Sequence, residues 1–370
     1  MERFTKYRLG DIAEMRYGKL PPDSIKSGSY PVFSGYRYVG YTDSFNCSKG
    51  TVIVVARGVG GTGDVKLTEQ DCFLTNLSIS VVLNQSICDP AYFYYKFFKN
   101  NLRYLDSGSA QSQITIDDLK RLEVTLPSLL EQQRIVRVLK SLDNKIALNN
   151  RINHNLEEFL DARYEEIISK SCHSLALSEI ADRITDGTHN TVIDSPGNPY
   201  YLLSCKNLKG GQLNIGSAER KIDFVTFHKL RQRTKLCKWD ILLSSVGTIG
   251  EIVLLKEDPS LFEFQRSVAM IKASRYSPFI VYSALRRQRT ELIHAAHGAV
   301  QQCLFLSDIG SFELTLPKDP VDTLEFSRLS AITHTMISER EKENTELTLS
   351  RDSLLPKLLS GEFTISNKCR

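Results

Sequence analysis

The sequence predicts an α+β protein: two similar β-rich globular domains joined by two long antiparallel helices that form a coiled coil, with an approximate two-fold axis relating the halves. Three observations carry this expectation. A heptad seam of unusual length occupies mid-chain, an internal repeat with one gapless stretch relates the two halves, and each half opens with short β-branched segments punctuated by glycine and proline. The expected division places the globular domains at residues 1–127 and 171–318, a central spacer helix at 128–170, and a second spacer helix with a tail at 319–370.

The seam runs through Ser128 to Lys170. Stepping three and four residues from Ile135 gives Leu139, Leu142, Ile146, Asn149, Asn153, Leu156, Leu160, Arg163 and Ile167, apolar at both ends and polar in the middle. At about 1.5 Å per residue the roughly 34 residues from Ile135 to Ile168 would make a rod of about 50 Å, longer than the globular norm of ~10–14 residues. Asn149 and Asn153 cost stability in a seam, yet an amide there must find a polar partner, so the pair is expected to fix helix register. A second long helix is expected from about Val321 to Ser360, with Leu329, Ile332, Met336, Leu347, Leu354 and Leu358 as its apolar positions. Two such helices are best satisfied by packing antiparallel on each other.

The repeat is clearest where Gly108 to Pro127 aligns without gaps on Gly298 to Pro317, keeping Gln111/Gln301, Asp118/Asp308, Glu123/Glu313 and a shared Thr-Leu-Pro end. Lys49 to Gly63 parallels Lys238 to Gly250, each a β-branched strand entering a glycine turn, and Asn76 to Leu83 parallels Gln265 to Ile271. A short helix comes next in each copy, at Pro90 to Asn100 and Pro278 to Leu292. The unit is far longer than a solenoid repeat, so the chain reads as a duplicated domain.

Composition narrows the function classes. The 370 residues suit two or three domains, and 41% hydrophobic with 24% charged residues is ordinary globular usage. A net charge of +4 leaves any polyanion to be met by local basic patches. No apolar run approaches the ~20 residues of a membrane span, and the opening MERFTKYRLG lacks a signal-peptide core, so no membrane partner and a cytoplasmic location are expected. The eight cysteines are scattered without C-x-x-C spacing, and His294 and His297 lack a third ligand, so neither zinc nor a disulfide frame is expected.

Motifs for catalysis are missing or broken. Gly58 to Gly63 satisfies G-x-G-x-x-G after a strand, but a dinucleotide site needs a helix at the third glycine, and the residues from Asp64 to Leu83 read as strand, turn and strand. Asp89-Pro90-Ala91-Tyr92 and Asn198-Pro199-Tyr200 each lack one proline of the amino-methyltransferase motif. No Walker lysine, H-E-x-x-H or G-x-S-x-G is present. The glycine-rich loops instead carry polar, basic and aromatic side chains suited to DNA. In the first copy these are Tyr36, Arg37, Arg57, Asn76, Gln111 and Gln113. In the second they are Thr188, His189, Lys206, Asn207, Arg231, Arg233, Ser245, Arg266, Gln301 and Gln302. Gln, Asn and Arg bond base edges bidentately, while Lys and turn amides hold phosphates. Duplicated loops spaced by a stiff ruler suit a duplex with two half-sites. The rival readings are a two-module rod that binds protein or sugar, and a single-chain methyltransferase, which would need a cofactor loop.

These segments resemble the specificity subunit of Type I restriction-modification enzymes. The resemblance rests on Leu126 to Glu157, Tyr30 to Asp43, Asp186 to Val192, Trp239 to Gly250 and Leu354 to Phe363, and covers nearly the whole chain. Trp239 stands where the family commonly has glycine. The resemblance implies two target recognition domains, each reading half of a split double-stranded DNA sequence, with the helices as spacer. It further implies docking of two methyltransferase subunits that carry S-adenosylmethionine, and restriction subunits in the full complex. The chain itself would hold no cofactor or metal and catalyse nothing.

Overall fold

The computed structural model describes residues 4–22, 25, 27–35, 37–58, 61–106, 112–216, 218–298 and 302–363. The chain divides into two compact units, Met1–Ala147 with Thr345–Arg370, and Leu148–Asn344. Each unit therefore holds one globular body and part of each long helix.

In chain order the first unit begins β1 (Thr5–Arg8), α1 (Leu9–Ile12), β2 (Ala13–Tyr17), β3 (Tyr30–Ser34), β4 (Arg37–Thr42), β5 (Val52–Val55), β6 (Val65–Leu67), β7 (Phe73–Leu74) and β8 (Ser78–Leu83). It continues with α2 (Pro90–Phe97), α3 (Ile116–Arg121), β9 (Glu123–Leu126) and the start of α4 (Leu129–Lys170). The strands form a four-stranded sheet β2-β8-β5-β6, a three-stranded sheet β4-β3-β7 and the pair β1-β9. β5 is buried at every position, as its unbroken Val-Ile-Val-Val predicts for a central strand. It runs through the glycine turn into antiparallel β6, which leaves no helix at Gly63 to hold a pyrophosphate. Asp89 caps α2, its Oδ1 accepting from Ala91 N (2.8 Å) and Tyr92 N (3.1 Å), so the Asp-Pro-Ala-Tyr sequence serves as a helix start.

The second unit repeats this plan. Its elements are β10 (Cys172–Ala176), α5 (Leu177–Ile180), β11 (Arg183–Asp186), β12 (Tyr200–Leu203), β13 (Leu208–Lys209), β14 (Gln212–Leu213) and β15 (Lys221–Ile222), then α6 (Phe224–Thr234), β16 (Ile241–Ser244), β17 (Ile252–Leu254), β18 (Phe262–Phe264) and β19 (Val268–Lys272). α7 (Pro278–Arg287), α8 (Arg289–His294), α9 (Leu306–Ser311), β20 (Glu313–Pro317) and α10 (Pro320–Ser360) complete it. The sheet β11-β19-β16-β17 matches β2-β8-β5-β6, the sheet β15-β12-β18 matches β4-β3-β7, and β10-β20 matches β1-β9. In both copies one parallel pairing, β3 with β7 and β12 with β18, joins the three-stranded sheet. The helix expected over Pro278 to Leu292 is broken in two at Gln288, where the backbone leaves the helical region.

Within each unit the long helices run antiparallel. In the second, Asn149 meets Glu343, Tyr164 packs on Phe326 with ring centroids 5.4 Å apart, and Lys170 lies 3.6 Å from Asp322. In the first, Arg351 pairs with Asp143 at 2.7 Å, and Leu355 and Leu358 share a core with Ile135 and Leu139. Every seam position predicted for α4 is buried or half-buried. The seam predicted for α10 is corrected: Ile332 and Met336 are exposed, and the buried line is Phe326, Ser330, Thr333, His334 and Ile337. Burial there includes hydroxyls and an imidazole, so apolar residues alone do not trace the face. No helix among the described residues is long and apolar enough to cross a membrane.

Candidate nucleic-acid interface

In each unit four chain segments meet at one hydrogen-bonded hub beside the ends of the central strands. In the first unit Lys19 N donates to Leu74 O (3.0 Å) and Asn76 N donates to Lys19 O (2.7 Å). Ala56 N and Arg57 N both donate to Leu77 O (2.9 and 3.1 Å), and Ile114 N donates to Ala56 O (2.9 Å). Arg57 and Gln113 complete the hub as an antiparallel bridge.

The second unit repeats four of these five backbone bonds and the bridge. Thr188 N donates to Phe264 O (2.9 Å), Arg266 N to Thr188 O (3.0 Å), Ser245 N to Ser267 O (3.0 Å) and Leu304 N to Ser245 O (2.9 Å), while Val246 bridges Cys303. The bonds make Lys19 equivalent to Thr188, Asn76 to Arg266, Ala56 to Ser245, Arg57 to Val246 and Gln113 to Cys303. The hub depends on a glycine at its entry. A Cβ on Gly18 would lie 2.2 Å from Thr75 O, and one on Gly187 2.1 Å from Phe264 O, closer than any side chain tolerates against backbone.

The hubs share their backbone and differ in their side chains. Lys19, Arg57 and Arg266 are exposed, Asn76 is half-buried, and none of these four side chains has a hydrogen-bond or ion-pair partner among the described residues. Such groups are free to bond phosphate or base edges. Gln113 N is tied to Asp106 Oδ1 at 2.8 Å, and Ser112 Oγ donates to the same carboxylate, which fixes the returning segment.

The structure thus brings Arg57, Asn76 and Gln113 together in one unit and Thr188, Ser245 and Arg266 together in the other. Exposed Gln302 precedes the hub residue Cys303 in sequence. Thr188 and Ser245 are buried there, contributing mainly backbone. His189 stands next to the hub with Nε2 2.5 Å from Asp186 Oδ2, and Arg233 donates to Asp186 O at 2.7 Å, so one aspartate orients both side chains. Arg37 is exposed at the start of edge strand β4, which also exposes Tyr38 and Tyr41. Tyr36, Gln111 and Gln301 lie outside the described residues.

Three of the expected DNA-facing side chains are engaged elsewhere. Asn207 is buried, accepting from Ser204 N (2.9 Å) and donating to Asn214 O (2.9 Å), which makes it a turn-former. Arg231 donates to fully buried Glu263 and to Phe262 O (2.9 Å), so it balances an internal carboxylate whose pKa burial drives upward. Lys206 is exposed but ion-paired with Glu219 at 3.0 Å. Conversely, sequence reasoning passed over Lys19. Its signal was the Tyr17-Gly18-Lys19 turn standing where Asp186-Gly187-Thr188 stands in the second copy. Among the described residues no group of three or more His, Cys, Asp or Glu is placed to hold a metal ion.

Residues 1–158 match the family described as Type I restriction modification DNA specificity domain. The chain is 23% identical over 424 residues to the Type I restriction enzyme MjaIX specificity subunit of Methanocaldococcus jannaschii, covering 97% of this chain and 93% of that one. It is 26% identical over 385 residues to a putative type I specificity subunit of Mycoplasma genitalium, covering 96% and 93%. Among solved structures, the crystal structure of a Type-I restriction-modification system S subunit from M. genitalium superposes with a TM-score of 0.64, at 20% identity and covering 96% of each chain, which places the two in one fold.

Proposed function

Because the chain belongs to the Type I restriction-modification specificity-subunit family, we propose that its two hubs read the two halves of a bipartite DNA target. Residues 1–127 and 171–318 act as target recognition domains, and the central helix 128–170 and the C-terminal helix with its tail, 319–370, act as spacer. The single observation behind this reading is the pair of hubs: one backbone framework, built twice, presenting different side chains. A recognition scaffold that reads two unlike half-sequences needs that combination, because hydrogen bonds to base edges carry the discrimination while the framework only positions them.

Arg57, Asn76 and Lys19 serve the first half-site, and Arg266, His189 and Arg233 the second, with Tyr36, Arg37, Gln111, Gln113, Gln301 and Gln302 completing the two surfaces. The helices dock two methyltransferase subunits, which bring S-adenosylmethionine, and the restriction subunits join through them. This chain contributes recognition and assembly, and the chemistry belongs to its partners in the cytoplasm.

The test is single-molecule sequencing of methylated adenines in cells that express the partner methyltransferase with wild-type chain, Arg57→Ala or Arg266→Ala. Loss of a base-reading side chain costs about 1–3 kcal/mol at its position. Each variant should relax one half of the methylated motif and leave the other intact. An unchanged motif in both removes the hubs from the reading surface. Affinity for duplex DNA should also fall steeply with salt, whereas a protein or sugar ligand would leave it flat.

A further inference from the structure

Two thiols in the first unit face each other across a pair of backbone segments. Cys47 N donates to Cys72 O at 3.1 Å and Cys72 N donates to Cys47 O at 2.9 Å, the doubly bonded arrangement of an antiparallel pair. That arrangement sets the two Cα atoms about 5.5 Å apart, inside the ~4.4–6.8 Å window of disulfides. Both side chains are buried against Phe33, Ile53 and Leu74. Around them Asn46 clamps Leu74 in both directions, Nδ2 to Leu74 O (3.0 Å) and Leu74 N to Oδ1 (2.7 Å). The segment bearing Cys47 is therefore already held against the strand that begins just after Cys72.

We propose that Cys47 and Cys72 are a dithiol site that closes to a disulfide under hydrogen peroxide, clamping β7, the strand that leads into the hub at Thr75 and Asn76. The thiols are unequal. A hydrogen bond from the Cys72 thiol lowers the Cys47 pKa, while the same bond and burial hold Cys72 protonated, so Cys47 supplies the nucleophile. Its sulfur attacks one peroxide oxygen, the O–O bond breaks, and Cys47 becomes a sulfenic acid as the other oxygen leaves as water. The Cys72 sulfur then attacks Cys47 Sγ. The S–S bond forms, the S–O bond breaks, and the hydroxyl departs as water with the Cys72 proton. Two thiols and one peroxide give one disulfide and two waters. Among the described residues Cys88 has no such neighbour, and burial pushes its pKa up to about 12.

The experiment treats the full native chain with graded hydrogen peroxide, quenches, alkylates remaining thiols in denaturant, and maps the peptides. The expected result is a Cys47–Cys72 linked peptide that has lost two hydrogens and returns to free thiols with dithiothreitol, while Cys88 stays alkylatable. The closed form should melt several degrees higher, since the bridge restrains the unfolded chain. Cys72→Ser should leave a sulfenic acid on Cys47 that a dimedone probe captures, and Cys47→Ser should leave Cys72 a thiol. Oxidation confined to the exposed Cys172 and Cys237, with Cys47 and Cys72 recovered as thiols, overturns the proposal. Mapping needs no variant, so the result stands even if a serine substitution unfolds the unit. It is also independent of whether the hub reads DNA.

Discussion

Replacing Asn153 with leucine should stabilise the second unit, and replacing Asn149 should not, although both occupy the same seam of α4. Both are buried, at 6% and 1% exposure. The Nδ2 of Asn149 donates to Glu343 Oε2 at 2.7 Å and to Asn344 Oδ1 at 2.9 Å. Among the described residues Asn153 has no partner for either amide atom, whereas Asn149 lacks one only at Oδ1. A buried polar group left unpaired costs about 1–3 kcal/mol, and a leucine of similar outline replaces it with apolar contact. Asn153→Leu is therefore expected to contribute about 2 kcal/mol, which for a unit of this size raises the melting temperature by roughly 4–8 °C. Asn149→Leu removes a charge-assisted bond of about 1.5–3 kcal/mol and a neutral one of about 1 kcal/mol, so after the apolar gain it should cost about 1–2 kcal/mol. Calorimetry of both single variants and the double variant measures this directly. If Asn153→Leu melts at or below wild type, or Asn149→Leu gains as much as Asn153→Leu, the assignment of one amide to register and the other to an unpaired burial is wrong.

Burial, with Lys256 and Arg286 nearby, holds the His334 imidazole down to about 3 against 6.5 in the unfolded chain. Between those values the unfolded state binds the extra proton, so stability is lost as pH falls below 6.5, by at most ~1.4 kcal/mol per pH unit. His334→Phe, which keeps the stacking on Phe279, should flatten that slope in urea titrations across the window, and an unchanged slope would show that the histidine is solvated. Gln132 is fully buried, accepts from Asp89 N (2.9 Å) and donates to Ile87 O (2.9 Å) and Pro127 O (3.0 Å). Gln132→Leu should cost about 2–4 kcal/mol in chemical denaturation by orphaning three backbone groups, and a loss under 1 kcal/mol contradicts their dependence on it. Arg231→Met should lower the midpoint of thermal unfolding sharply, since stranding Glu263 costs about 3–5 kcal/mol, whereas Arg266→Ala should leave melting unchanged and weaken DNA binding; the reverse pattern exchanges their roles. Gly187→Ala should blunt recognition of one half-site while Gly18→Ala blunts the other, read out by methylation mapping, and wild-type methylation in both would mean the close approach relaxes easily.

How much of this was legible depended on what carried the pattern. α4 could be read because its 3.5-residue step survives two asparagines. α10 could not, since its buried line passes through Ser330, Thr333 and His334 while Ile332 and Met336 point outward. Side chains of the hub such as Arg57, Asn76 and Arg266 were recoverable as polar residues on the loops that follow strands. Their equivalence was not: aligning glycines sets Arg57 opposite no fixed partner, whereas the bridges to Gln113 and Cys303 pair it with Val246. Arg231 and Asn207 misled for a related reason. Nothing local announces that a basic helix residue faces a carboxylate 32 positions away, or that an asparagine is consumed by a turn.

On the proposed reading of the hubs, the glycines at their entrances bear on where discrimination between target sequences resides. Because the amides of Lys19, Asn76 and Arg57, like those of Thr188 and Arg266, are spent on neighbouring carbonyls, these five peptide donors are not left to address a base pair. On the proposed reading the vocabulary of each half is then written chiefly in replaceable side chains, and a new target word can arise by point substitution without remaking the alphabet's frame.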